Sequence, residues 1–280
     1  MADLLLLNFG TFQETNRFKR SAIQDAFVSS DLMDGVSPGD LLRTGGLRTV
    51  NAAGTTTYSF YGLRSDVWKA KLPDGTAYRD AFKKWIENIL TNTVHCVYLT
   101  GHHGGHQMWW DHDPDDFWMR LTKIDELVFG AEEKHLIKLT AKNLRTGCLL
   151  VLGFGCNIGS GGNSSFYQDF FHNGAEKPIV LGWDTTIAVP RSNWPSINDR
   201  FFEYLNQYVK SNSSVAAKDR LDWFYGNQPM ELVRAWGHAA RGYEGHKSQS
   251  RLWEHARARH KDGTLYRFEV QKGVVQPVKA

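Results

Sequence analysis

The chain has 280 residues, 41% of them apolar, with 16 Phe, 10 Trp and 10 Tyr, enough core for one large α/β domain or two smaller ones. A formal net charge of +3 is too small to make nucleic acid the main partner. Three cysteines do not form a disulfide framework, so a reducing, cytoplasmic setting is expected.

Leu4 to Leu7 is an apolar run closed by Asn8 and Gly10, and it reads as a first strand. It is far short of the roughly 20 residues of a membrane span, and it lacks the basic flank and cleavage site of a secretory signal. A helix is expected from Asn16 to Val28, then Gly/Thr/Asn-rich loop or short hairpins from Asp34 to Thr57, then an edge strand over Tyr58 to Gly62. Tyr78, Ala81, Phe82, Trp85, Ile89 and Leu90 recur at helical spacing after Thr76, a fair N-cap.

Val94 to Thr100 is a β-branched apolar run that ends in Gly101-His102-His103-Gly104-Gly105. Helices are expected next, from Trp118 to Phe129 and again over Lys134 to Leu144. Cys148 to Leu152 is a second such run, ending in Gly153-Phe154-Gly155-Cys156-Asn157-Ile158-Gly159. Strand, helix, strand in that order is the signature of a right-handed crossover and a parallel sheet. A Gly/Ser-rich loop from Gly159 opens a helix at Phe166, and Lys177 to Asp184 is a further parallel-type strand. A helix from Asn198 to Lys210, a candidate linker Ser211 to Ser214, helices Pro229 to Ala240 and Ser250 to His260, and a closing strand Thr264 to Val270 complete the chain.

In open parallel sheets ligands bind at the carboxyl ends of the strands, which places a histidine and a cysteine in one crevice. A thiol with an imidazole beside it is a nucleophile with its proton shuttle. Cys96 and Cys148 lie where strands begin and read as small buried hydrophobes; Cys156 alone stands at a strand's functional end. Gly153 and Gly155 before it leave room for the backbone to crowd a substrate.

Thr100-Gly101-His102 at the end of one strand, followed by Gly155-Cys156-Asn157-Ile158-Gly159 at the end of the next, resembles the caspase-like cysteine peptidases. Val180 to Thr186, with its Trp183-Asp184 pair, is similar to the strand after the cysteine in separases and the bacterial separase-like (CHAT) proteases. The resemblance covers about Leu4 to Leu205. It implies a three-layer α/β sandwich, a mainly parallel sheet flanked by helices, and a Cys/His dyad that cleaves peptide bonds without a cofactor. It also implies a protein or peptide substrate, with a regulatory protein as a further partner. The family has His followed directly by Gly, whereas here His102-His103 precedes Gly104. Strand register favours His102 as the acid/base, and the His-Gly step favours His103. By the same analogy the oxyanion hole uses the N–H of Cys156 and that of His103 or Gly104. An acidic residue near Asp184 reads an arginine in separase-like relatives, which suggests Asp184, with Glu14 as contributor or substitute, as the receptor for a substrate arginine before the cut.

A rival constellation crowds residues 102–116: His102, His103, His106, Asp111, His112, Asp113, Asp115 and Asp116. These are ligand types for zinc or other metals, but the spacing matches neither the HExxH helix nor a calcium loop, which needs Gly where Asp116 stands and Glu where Thr122 stands. Arg234 to Lys261 carries seven Lys or Arg against two Glu with tryptophans interleaved, and reads as a solvated face over core aromatics. The expectation is a peptidase domain over residues 1–212 and a helical extension with a closing strand over 213–280, separate or packed on the same domain. The alternatives are a metal-dependent hydrolase built on the 102–116 loop and a non-catalytic caspase-like binding module.

Overall fold

The structure, a computed structural model, describes residues 4–8, 47–50, 56–61, 71, 75–91, 94–109, 118–123, 125–130, 136–140, 147–172, 176–187, 195–216, 219–241 and 251–280. Among the described residues, fourteen strands fall into two sheets. Strands β1 (Leu4–Asn8), β2 (Leu47–Val50), β3 (Thr56–Tyr61), β4 (Cys96–Thr100), β10 (Leu150–Phe154), β11 (Ile179–Trp183), β12 (Ala256–Arg259), β13 (Leu265–Gln271) and β14 (Val274–Lys279) form a nine-stranded sheet in the order β14-β13-β12-β11-β10-β4-β1-β3-β2. Its centre, β3-β1-β4-β10-β11, is parallel throughout. The remaining pairings are antiparallel, so the fold is α/β with a mixed sheet.

Strands β4, β10 and β11 read as apolar runs because both of their faces are covered. Side chains alternate across a strand. Cys96, Tyr98, Leu150, Leu152, Phe154, Leu181 and Trp183 therefore enter one core and Val97, Leu99, Val151 and Val180 the other. The first core is closed by helices α3 (Pro195–Asn212), α4 (Arg220–Asn227) and α5 (Pro229–Arg241). Trp236 of α5 is wholly buried and donates its indole N–H to the Gly182 carbonyl at 3.1 Å. The second core is closed by α1 (Tyr78–Thr91), whose Phe82, Ile86, Ile89 and Leu90 form the expected stripe, by α2 (Gly161–Phe170), and by the second sheet.

That second sheet departs from the sequence-based expectation. Strands β5 (His102–Gly104), β6 (Gln107–Trp109), β7 (Trp118–Lys123), β8 (Glu126–Gly130) and β9 (Ile137–Thr140) form an antiparallel meander between β4 and β10. The expected helix from Trp118 to Phe129 is instead the β7–β8 hairpin, and the expected helical segment from Lys134 contains β9. Met119 and Leu121 face Phe129 and Leu127 across the ladder, a pairing that periodicity in short apolar runs does not separate from a helix. Ile137 and Leu139 are buried while Lys138 is exposed, the strict alternation of a half-buried strand. Among its described residues, the crossover from β4 to parallel β10 is thus made by strands.

Three smaller corrections follow. The strand expected at the edge over Tyr58 to Gly62 is β3, which lies between β1 and β2. Helix α2 opens at Gly161, ahead of Phe166. The expected helix Ser250 to His260 is a 3₁₀ turn, Leu252–His255, followed by β12, where Ala256 and Ala258 are buried and Arg257 and Arg259 half-buried. Phe201 and Leu205 share one core with Leu221, Trp236, Ala258 and Phe268, and β12 to β14 extend the main sheet, so packing is continuous across residue 212. The expected helix Asn16 to Val28 lies outside the described residues. Among the described residues no helix is long and apolar enough to cross a membrane.

Candidate active site

β4 and β10 are neighbours in register, with Thr100 opposite Phe154, so their carboxyl ends emerge side by side. At one end Gly101, with φ +139°, turns the chain out of the main sheet into β5. That turn decides the histidine. Gly101 interrupts the strand, so alternation cannot be counted through it from Thr100; within β5, His103 is buried and its neighbours are half-buried. His102 lies opposite Trp109 and stacks on its ring at a centroid distance of 6.1 Å. His103 lies against Cys156, its Nδ1 2.5 Å from the Cys156 carbonyl oxygen. The histidine brought to the cysteine is His103 and not His102, the residue that strand register favoured.

A carbonyl oxygen only accepts, so Nδ1 of His103 carries the proton and Nε2 the lone pair. Burial pulls the imidazole down to about 4; the Cys156 carbonyl opposes the shift and His106 adds to it. At neutral pH this imidazole is uncharged.

Gly104 and Gln107 close the β5–β6 hairpin across a two-residue turn, Gly105-His106, in which Gly105 has φ +60°. The pair flanking such a turn exchanges both ladder hydrogen bonds, so the Gly104 N–H is directed at the Gln107 carbonyl. Gly104 is therefore not a free oxyanion donor. The His103 N–H, in the non-bonded pair with Met108, is directed away from β6.

At the end of β10, Cys156 is half-buried and free, while Cys96 and Cys148 are buried. Burial pushes the Cys148 thiol up to about 12 and the Cys96 thiol well above its ordinary value. The sulfur of Cys156 accepts the N–H of Ile187 at 3.3 Å and lies 3.9 Å from the carbonyl of the same residue. Among the described residues these are its hydrogen-bond partners, and they place the thiol against the segment after β11. The turn beyond it is fastened to that segment: Asn157 donates to Thr185 at 3.1 Å and Gly159 to Trp183 at 2.8 Å. Asn157 takes φ +60°, a region asparagine tolerates, and its carbonyl accepts the Asn163 side-chain amide at 2.9 Å.

The glycines before the cysteine serve packing. A Cβ on Gly153 would stand 2.4 Å from Ile158, and one on Gly155 would stand 2.9 Å from both His103 and Ile158. The space expected for substrate backbone is filled by those two side chains.

Asp184 is at the end of β11, as expected, but its carboxylate is not isolated. His255 Nδ1 donates to Oδ1 at 2.9 Å, and Arg257 is ion-paired to Oδ2. Both oxygens are engaged from the 3₁₀ turn and β12, so Asp184 is not an open receptor for a guanidinium. Glu14, Asp111, His112, Asp113, Asp115 and Asp116 lie outside the described residues. His106 stacks on Phe166 at 3.9 Å, and among the described residues no group of three or more His, Cys, Asp or Glu side chains could hold a metal ion.

Ile187 went unnoticed in the sequence because it acts through its backbone, which leaves no residue-type signal. Arg257 and His255 were hidden in a segment read as helix. A comparison with protein-family models and with curated proteins found no match for this chain.

Proposed function

We propose that this chain is a cysteine hydrolase of the caspase-like type that cleaves peptide bonds, with Cys156 as nucleophile and His103 as its acid/base. The observation that carries the reading is the contact of His103 with Cys156 at the adjoining carboxyl ends of two parallel strands. The half-buried state of Cys156, beside two fully buried cysteines, supports it.

In this reading the Cys156 side chain turns from Ile187 toward His103. With its ring proton moved to Nε2, His103 takes the thiol proton on Nδ1, and the thiolate sulfur bonds to the peptide carbonyl carbon. The imidazolium returns the proton to the amine nitrogen as the C–N bond breaks, leaving a thioester on Cys156. Water, deprotonated by His103, attacks the thioester and the sulfur departs. The Cys156 N–H and the outward His103 N–H are the amides that face the reacting carbonyl. Asp184 is left out of substrate recognition, since His255 and Arg257 occupy it.

Limiting iodoacetamide should label Cys156 before Cys96 or Cys148, read by mass spectrometry of the digested protein. Peptide-library cleavage by wild type, Cys156→Ala and His103→Gln tests the chemistry. Cys156→Ala should abolish turnover, and His103→Gln should lower it by about 10²–10⁴-fold. Equal labelling of the three thiols, or full turnover in Cys156→Ala, defeats the proposal.

A further inference from the structure

We propose that the hydroxyl of Tyr167 is the positioning group for His103, serving the distal ring nitrogen Nε2 in both neutral tautomers of the imidazole; the catalytic part of this inference rests on the peptidase reading above. The Tyr167 hydroxyl and Nε2 of His103 are each completely shielded from solvent, and neither has a hydrogen-bond partner among the described residues. The two rings are neighbours, with centroids 5.8 Å apart at 42°. Both belong to the space between α2 and the meander, where His106, its Nδ1 also shielded and without a partner, stacks on the adjacent Phe166.

Buried polar atoms are rarely left alone, and these two orphans sit on neighbouring rings. Their chemistry is complementary. With Nδ1–H on the Cys156 carbonyl, Nε2 offers a lone pair, and a phenol offers a proton. When Nδ1, the nitrogen on the cysteine side, has to act as the base, the ring proton must sit on Nε2 and needs an acceptor there. A hydroxyl oxygen accepts as well as donates, so Tyr167 satisfies Nε2 in either state, directly after a small tilt of the rings or through one bridging water. Burial keeps the phenol far above its ordinary titration range, so it stays neutral and retains both capacities. Phenylalanine would fill the same space and supply neither.

The test is Tyr167→Phe in ¹⁵N-histidine-labelled protein, read by the His103 imidazole nitrogen shifts, by thermal unfolding and by peptide turnover. Tyr225→Phe is the control, because its hydroxyl donates to the Lys177 carbonyl at 2.7 Å. Three results are expected for Tyr167→Phe. Tm falls, since removing the hydroxyl leaves the buried Nε2 of His103 without its partner. The His103 Nε2 resonance moves, and it does not move in Tyr225→Phe. Turnover falls about tenfold or more at unchanged KM, a part of what general acid–base catalysis supplies. A His103 Nε2 resonance identical in wild type and Tyr167→Phe overturns the inference, whatever happens to turnover. A resonance that moves in a protein whose wild type cleaves no peptide upholds the Tyr167–His103 contact and defeats the peptidase reading. Full turnover in Tyr167→Phe despite a moved resonance overturns the catalytic part.

Discussion

The carboxyl ends of β10 and β11 lie on the same edge of the same sheet and are built on opposite principles. The end of β10 is tight and largely uncharged: glycines, Ile158, a neutral imidazole and a thiol held by a backbone amide. The end of β11 is polar, with Asp184, His255 and Arg257 joined in an ion-paired cluster in which His255 is half exposed. Shape specifies the first, because interiors pack at crystal density and leave no room for error. Charge pairing specifies the second, where solvent screens each interaction. The lesson is that neighbouring strand ends respond to different perturbations, and each can be tested on its own.

Backbone contact should give the largest effect. A Cβ at Gly159 would stand 2.6 Å from the Gly182 carbonyl carbon and the Trp183 nitrogen, main-chain atoms inside a paired strand. Gly159→Ala should cost about 3 kcal/mol or more, read from the urea midpoint. Gly162, three residues further on, has nothing within 4 Å of its Cβ position, so Gly162→Ala in α2 should stabilise by up to about 1 kcal/mol. Equal effects at the two glycines would remove the packing argument.

Protonation comes next. The unfolded His103 titrates near 6.5 and the folded one near 4. Between those values the unfolded chain binds the proton and the folded one does not, so stability falls as pH falls. The contribution is fully present above pH 6.5, is lost progressively toward pH 4, and amounts to about 3 kcal/mol. Urea midpoints for wild type and His103→Gln at pH 7 and pH 4.5 check this: the drop between the two pH values should be larger in wild type. An equal drop would mean that His103 is as accessible to protons in the folded chain as in the unfolded one.

The β11 end should respond least. Asp184→Asn loses an ion pair whose carboxylate is 24% exposed, and Arg257 keeps hydrogen bonds to the Glu254 and Ala256 carbonyls. A loss of about 1 kcal/mol, shrinking at high salt, is expected from unfolding at two ionic strengths. A loss as large as that of Gly159→Ala, insensitive to salt, would make the two ends alike and end the comparison.

Legibility in the sequence followed the same division. Val94 to Thr100, Cys148 to Leu152 and Lys177 to Asp184 were readable as buried parallel strands because both of their faces are covered, which leaves an unbroken apolar run. Cys156 was readable as the exceptional cysteine because it follows such a run. The meander was not readable: Trp118 to Phe129 is short, apolar and joined by a turn without Gly or Pro, and such a segment carries no decisive period.

By itself the sequence determined the parallel core and the pair of strand ends at which the candidate site sits, since burial on two faces is written directly into residue type. Tertiary structure decided which histidine meets Cys156, because the positive φ of Gly101 restarts the alternation that register arguments depend on. It also decided the state of Asp184, whose partners His255 and Arg257 come from far along the chain. The same holds for the thiol on Ile187 and the packing of the His103 and Tyr167 rings. Contacts of this kind join residues distant in sequence through backbone groups or single atoms, and no local pattern of side chains encodes them.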